Sequence, residues 1–312
     1  MSGVMPGNEL VLHTTLGPRR RSELGLILPH EHVFVDLRTP DHVGHGEAVE
    51  AEVVRLMAPQ VQAAMDVGVT ALVECSTGGV GRRADLDLAV SRASGLPIAV
   101  PTGIYREPWV PDWARAATPL ELEDWMDGEL DDQIEGTGVR AAWIKLSAGD
   151  DGMTALEERI LKAAAAVSRR TGATIGSHSI RGRVARKQLE VLDRAGVPAG
   201  RFIWIHTQAE PDYALHLEQA RRGAWLSYDD VGLRNDATVV EMVLRVLDAG
   251  FGSQLLLSHD AGWFDPAQPG GGTPRGYTHL VTSLIPALRA AGVDDATVDQ
   301  LTRDNPFAAY AR

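Results

Sequence analysis

Eight short apolar runs, separated by stretches of helical periodicity, recur along the chain: Leu24 to Leu28, Ala71 to Val73, Leu96 to Val100, Val139 to Leu146, Ala173 to Ile175, Phe202 to Ile205, Ala224 to Tyr228 and Leu255 to Leu257. Runs this short and continuous read as strands buried on both faces, and a strand returning after each helix implies a parallel sheet. The helical signal is clear from Thr154 to Arg170, where Leu156, Ile160, Leu161, Ala164 and Val167 form one stripe. Thr154 and Glu157 have capping-box spacing there, and Gly172 supplies the stop. Gly196 and Gly250 end later helices, the second opened by Asp236. Eight such units in one uninterrupted chain fit a closed (β/α)8 TIM barrel, an α/β fold, better than an open doubly wound sheet.

With 312 residues and 44% hydrophobic content, one core suffices, and residues 1–312 are expected to form a single barrel domain. Ahead of it, residues 1–23 form an arm in which Leu10, Val11 and Leu12, then the Gly17-Pro18-Arg19 turn, predict a β-hairpin under the barrel floor. After the eighth run, Ala261 to Gly276 with its Gly270-Gly271-Gly272 run lies where a substrate lid would lie. The net charge of -12 sets a repulsive field before phosphate backbones and anionic membrane surfaces, so a small-molecule substrate is expected, with no nucleic acid and no membrane partner. Cys75 is the single cysteine, and Met1 to Leu10 lacks a secretory leader pattern, which predicts a cytoplasmic protein without disulfides.

Six potential metal ligands, His30, His32, Lys145, His178, His206 and Asp260, lie at or just beyond the C-terminal ends of these runs, where a barrel gathers its active site. If the first strand continues through His30 and His32, their spacing puts both imidazoles inside the barrel. Asp260 follows the eighth run, next to the first in a closed barrel, and either completes that metal's coordination and takes a proton from its water, or caps a helix before Trp263. His178 and His206, on adjacent strands, are placed for a second ion. Lys145 is costly in its apolar run Ala141-Ala142-Trp143-Ile144, and needs either a modification or a paired carboxylate. His259 reads equally as a support for the ligands or as a buried neutral histidine facing a helix.

Leu28-Pro29-His30-Glu31-His32, Ile144-Lys145, Ser177-His178, Ile205-His206, Ser258-His259-Asp260 and the late Asn305-Pro306 resemble the phosphotriesterase family of the amidohydrolase superfamily over nearly the whole chain, particularly its phosphotriesterase-like lactonases. The resemblance implies a binuclear site with His30, His32 and Asp260 on the more buried metal and His178 and His206 on the other. It further implies that N6-carboxylated Lys145 and a hydroxide bridge two divalent ions, zinc first, with cobalt, manganese or iron as alternatives. That hydroxide would attack a lactone or ester carbonyl, with Asp260 and Lys145 catalytic. An amide (N-acyl) hydrolase or a phosphotriesterase would use the same site, and a ligand-binding barrel without catalysis is the third reading. Family habit makes a homodimer the expected assembly.

Pocket-shaping residues are expected after strands three, seven and eight: Tyr105, Trp109, Tyr228, Arg234, Trp263 and Phe264, whose aromatics favour an apolar or ring-shaped substrate. The Tyr228-Asp229-Asp230 segment has Asp where some lactonases carry a basic residue, which argues against acyl-homoserine lactones. Arg181, Arg234 and Arg275 are the candidate cations for an anionic lactone. Glu74 ends the second strand facing the mouth, Cys75 reads as a small buried hydrophobe, and His42 and His45 as loop residues.

Overall fold

The computed structural model describes residues 9–312, so the part of the arm over residues 1–8 lies outside the described residues. The barrel strands are β1 (Leu26–Phe34), β2 (Val69–Glu74), β3 (Ile98–Ala99, continuing as Pro101–Thr102), β4 (Trp143–Ser147), β5 (Ile175–His178), β6 (Phe202–Ile205), β7 (Trp225–Tyr228) and β8 (Leu255–Leu257). Parallel ladders join them in sequence order. Closure between β8 and β1 runs past the strand ends: the His30 N–H donates to Ser258 Oγ at 3.0 Å, and the Asp260 N–H donates to the His30 carbonyl at 3.1 Å. This is the (β/α)8 TIM barrel expected from the alternation.

Alternation along the strands divides the core. Ile27, Val73, Trp143, Ile203, Ile205 and Leu256 fill the interior, above Tyr310 near the chain end, while Leu28, Leu72, Ile144, Ile175, Trp204 and Leu226 pack against the surrounding helices. The parity is broken where β1 pairs with β2. In β1 the register slips between Leu28 and Glu31, so an inward Ile27 is followed by His30 and His32 inside the cavity rather than by Pro29 and Glu31. Pro29 has no N–H to lose at this irregularity, and its carbonyl is used by the Tyr310 hydroxyl at 2.8 Å.

The helix signals behave as read, with one adjustment. The helix Ala155–Thr171 opens on the Thr154/Glu157 capping box and ends on Gly172 at φ 74°. The helix Asp236–Asp248 is instead capped by Asn235, whose side chain accepts the Ala237 N–H, freeing the Asp236 carboxylate to pair with His279. The hairpin forms between Val11–Leu12 and Arg19–Arg20. Among the described residues no helix is long and apolar enough to cross a membrane.

The expected lid is held down rather than hinged. Gly262–Phe264 adds a short parallel strand beside β1, and Gly262 and Arg275 exchange both backbone hydrogen bonds, closing the glycine-rich loop at its base. Gly262, at φ 93°, has no room for a side chain: a Cβ would fall 1.9 Å from the His32 carbonyl oxygen. Replacing Thr154 with Ala removes the capping box of Ala155–Thr171 and is expected to lower unfolding free energy by about 1 kcal/mol, read by urea denaturation; an unchanged midpoint would refute the cap's contribution.

Candidate metal centre and active site

All six proposed ligands line one cavity of about 200 Å³ at the C-terminal mouth, sharing it with Val35, Leu37, Cys75, Val80, Tyr105 and Trp263. His30, His206 and Asp260 present ligand atoms within 4.8 Å of one another. His32 joins them through its Nε2, 2.9 Å from Asp260 Oδ1, and the His178 ring lies 4.5 Å from that of His206. The three-residue cluster therefore spans both groups into which the sequence divided the ligands.

Buried carboxylates behind the ligands fix their orientation. Ser76 Oγ donates to the Phe34 carbonyl at 2.7 Å, so at 2.8 Å from His32 Nδ1 it accepts the ring N–H and leaves Nε2 facing Asp260. Glu74 Oε1 lies 3.2 Å from the same Nδ1, and its carboxylate is held by the N–H groups of Val33 and Ser76, both at 2.6 Å. Asp229 is fully buried between two ligands, with Oδ2 3.4 Å from His30 Nδ1 and 3.3 Å from His206 Nδ1, while accepting the His206 N–H at 2.9 Å. Ser227 Oγ donates to its other oxygen.

Glu31, between the two histidines of β1, points instead to the end of β8. Its Oε1 accepts Ser258 Oγ at 2.7 Å, the His259 N–H at 3.0 Å and the His259 ring, and its Oε2 accepts the Ala261 N–H at 2.8 Å. His259 Nε2 in turn accepts the Leu280 N–H at 2.8 Å, so its proton sits on Nδ1 toward Glu31. Both sequence readings of His259 are thus met in one residue: it faces a helix start and supports the turn carrying Asp260. Glu31 and Asp229 were missed as functional residues, although strand parity through the inward Trp225 and Ser227 points Asp229 inward.

Charges in the pocket follow from these contacts. Burial opposes ionisation of His30 and His32, but Asp229 and Asp260 beside the first, and Asp260 and Glu74 beside the second, raise both imidazoles above their ordinary range. Burial works against Asp260 and Asp229 as well, yet the same rings hold both carboxyls well below theirs. His178 goes the other way, lowered by burial and by the neighbouring His206 and Lys145. Lys145 is 2% exposed, with Nζ 6.0 Å from the Trp143 ring centroid. Among the described residues no carboxylate pairs with it, the lysine ion pairs being Lys162 with Glu158 and Lys187 with Glu190.

The pocket-lining expectations divide. Tyr105 lines the cavity, its hydroxyl 3.1 Å from His178 Nδ1, and Trp263, at φ 78°, sets its ring 5.5 Å from that of His32. Trp109 stands one layer back, 5.6 Å from Tyr105, donating its indole N–H to the Leu37 carbonyl. Tyr228 does not reach the cavity: it shares the outward parity of Leu226 and hydrogen-bonds His216 behind the barrel at 2.9 Å. Phe264 stacks on Phe34 at 5.8 Å in the outer core, and Arg234 is drawn into its own loop by Asp230 at 2.5 Å. Arg275 donates to the carbonyls of His259 and Asp260, and Arg181 stands exposed just before the helix Gly182–Arg194, outside the cavity lining. Cys75 lines the cavity as a buried thiol that burial keeps protonated, and His42 and His45 lie outside the lining.

The phosphotriesterase family model matches residues 10–310. The chain belongs to this family. It is 28% identical to the phosphotriesterase homology protein of Escherichia coli over 288 residues, 90% of this chain and 96% of that one. It is 25% identical to the aryldialkylphosphatase of Saccharolobus solfataricus, covering 91% and 94%. Among solved structures, a variant of the PTE-like lactonase of Deinococcus radiodurans superposes with a TM-score of 0.86 at 29% identity, covering 96% of this chain and 99% of that one. As a member of this family the chain is a metal-dependent hydrolase.

Replacing Asp229 with Asn removes the charge shared by His30 and His206, and is expected to weaken metal retention by about 10- to 100-fold. Competition with a chelator reads this, and unchanged affinity would remove Asp229 from the site. Metal-stripped protein should also be most stable between the ordinary carboxylate and imidazole ranges. Asp229 and Asp260, with depressed pKa values, stabilise above the unfolded carboxylate range and lose that contribution as pH falls; His30 and His32, with raised values, stabilise below the unfolded imidazole range and lose it as pH rises. Thermal melts across pH check this, and a profile flat from acid to alkaline pH would contradict it.

Proposed function

We propose that the protein hydrolyses a lactone or related ester at a pair of divalent cations held by His30, His32, Lys145, His178, His206 and Asp260. The observation that carries this reading is the convergence of all six side chains on one cavity from five strands, β1 supplying two of them. The residues fit such ions: nitrogen and carboxylate donors approach within 4.8 Å of one another, and the buried His30 Nδ1, though near Asp229, has no hydrogen bond. When bound, two such ions polarise a substrate carbonyl and make water nucleophilic near neutral pH.

The chain's own groups then divide the work. Asp260, ionised at neutral pH because His30 and His32 hold its carboxyl low, takes the proton from the attacking water and returns it to the leaving alkoxide. His32 and His30 orient that carboxylate from two sides, at 2.9 and 3.4 Å. Tyr105, whose phenol burial pushes up to about 12, stays protonated and offers a hydrogen-bond donor at the cavity wall. Trp263 and the aliphatic lining exclude bulk water and hold the ring of the substrate. Lys145 carrying carbon dioxide as a carbamate offers an anionic oxygen in place of an ammonium, which suits its burial without a carboxylate partner. Zinc fits this donor set first, with cobalt, manganese or iron as alternatives. A cytoplasmic homodimer completes the reading.

Purified protein should hold close to two divalent ions per chain and yield acid product from a lactone panel. Asp260→Asn should lower kcat by about 10²–10⁴-fold with the fold intact by circular dichroism. Full activity in that variant, or after exhaustive chelation, would overturn the mechanism; acid release from N-acyl amides or phosphotriesters but from no lactone would move the substrate class while keeping the site.

A further inference from the structure

Four arginines that approach the mouth are committed elsewhere, and Arg181, exposed after β5, stands outside the cavity lining. Arg38 holds Asp36 in a fork, Nε to Oδ1 at 2.9 Å and Nη2 to Oδ2 at 2.5 Å. Arg106 lies over Trp109 and pairs with Asp150 at 3.2 Å. Arg234 is tied to Asp230 at 2.5 Å, and Arg275 to the carbonyls of His259, at 2.6 Å, and Asp260. None of the four lines the cavity, whose one lysine or arginine is Lys145 at the floor. Apart from the proposed ligands the lining is Val35, Leu37, Val80, Cys75, Tyr105 and Trp263, which offer an anion no ionic partner, Tyr105 presenting only a neutral hydroxyl.

We propose that this site takes compact, uncharged lactones and rejects those carrying an anionic group away from the reacting carbonyl. The inference rests on the lactone reading above and narrows it. An anion set against these walls exchanges its water for no more than a neutral hydroxyl, and freeing one of the four arginines to meet it strands a carboxylate or two carbonyls instead. The net charge of -12 opposes its approach as well. Cations at the floor attract the reacting oxygen, but a distal group is held off that floor by the ring between them. Size adds a second limit: the cavity of about 200 Å³ falls below the roughly 300–1,000 Å³ typical of sites for drug-sized ligands, so long substituents must project from the mouth.

The test compares kcat/KM of metal-loaded enzyme for a short alkyl δ-lactone and for the same ring bearing a carboxylate or phosphate in place of the alkyl end. The neutral member should be favoured by about 10²-fold or more, and Leu37→Arg, at a half-exposed position of the lining, should shrink that ratio about 10-fold. Equal or better turnover of the anionic lactone by the wild-type enzyme overturns the proposal. Thermal shift with a non-hydrolysable cyclic ketone and its carboxylate-bearing counterpart reads the same preference without turnover: stabilisation by the neutral ketone alone supports it, and equal stabilisation by both refutes it. If no lactone of either charge is opened while a neutral phosphotriester is, the lactone reading fails, and the ketone pair still decides the charge rule.

Discussion

Two of the six converging side chains hang from backbone that L-residues avoid, and two buried carboxylates hold that backbone in place. His206 sits at φ 65° and Asp260 at φ 52°, each turning the chain sharply where a strand ends. A left-handed non-glycine residue costs on the order of 1–3 kcal/mol and persists only where its surroundings over-determine it. Asp229 accepts the His206 N–H itself, while Glu31 accepts the N–H groups on both sides of Asp260. Arg275 grips the same turn from outside through its carbonyls. Each acid comes from a neighbouring strand end, so strand pairing, turn geometry and ligand placement are one connected constraint. Losing either carboxylate releases a turn as well as a charge.

The arrangement explains why a glycine-rich stretch after β8 is not a free lid. Gly262 brings the chain against the His32 carbonyl, where no side chain fits, and Phe264 stacks on Phe34 one pair further along. Between them Trp263 is forced to a positive φ, which turns its indole toward His32 and into the cavity. Glycine thus sets the close approach, and the aromatic flanking it becomes a wall of the site. Even the distal turn is tied back, the Asp265 N–H donating to the Gly271 carbonyl at 3.0 Å beyond the backbone pair that closes the loop at Gly262 and Arg275.

Strand number, strand order and the gathering of the six side chains at one mouth were legible because apolar runs bounded by polar residues report burial directly, and a barrel brings strand ends together whatever the loops do. What escaped was any feature depending on a partner distant in the chain. Glu31 reads as a spacer between two histidines until the end of β8 is beside it. The inward face of β1 could not be extrapolated from Ile27, because the slip at Pro29 moves the count by one. Tyr228 was legible and misread: counting in steps of two from Leu226 sends it outward, to His216. Arg234 and Arg275 had the right location for anion binding, but their partners, Asp230 and a pair of carbonyls, are fixed by turn geometry that residue type does not reveal.

The distribution of charge in the cavity completes the physical account. Asp229, Asp260 and Glu74 stand against His30 and His32, all largely removed from water, so the carboxylates favour positive charge on these two rings. Without metal that charge is protons, which is why burial fails to lower His30 and His32. Divalent cations demand the same nitrogens deprotonated, so loading the site releases protons and substitutes one positive charge distribution for another. Acidification therefore competes with metal directly, through the ligands themselves. Lys145 sits on the wrong side of this balance as an ammonium, repelled by any cation placed among its neighbours. Under the proposed carbamate reading its nitrogen would carry a negative group, which suits the residue's burial.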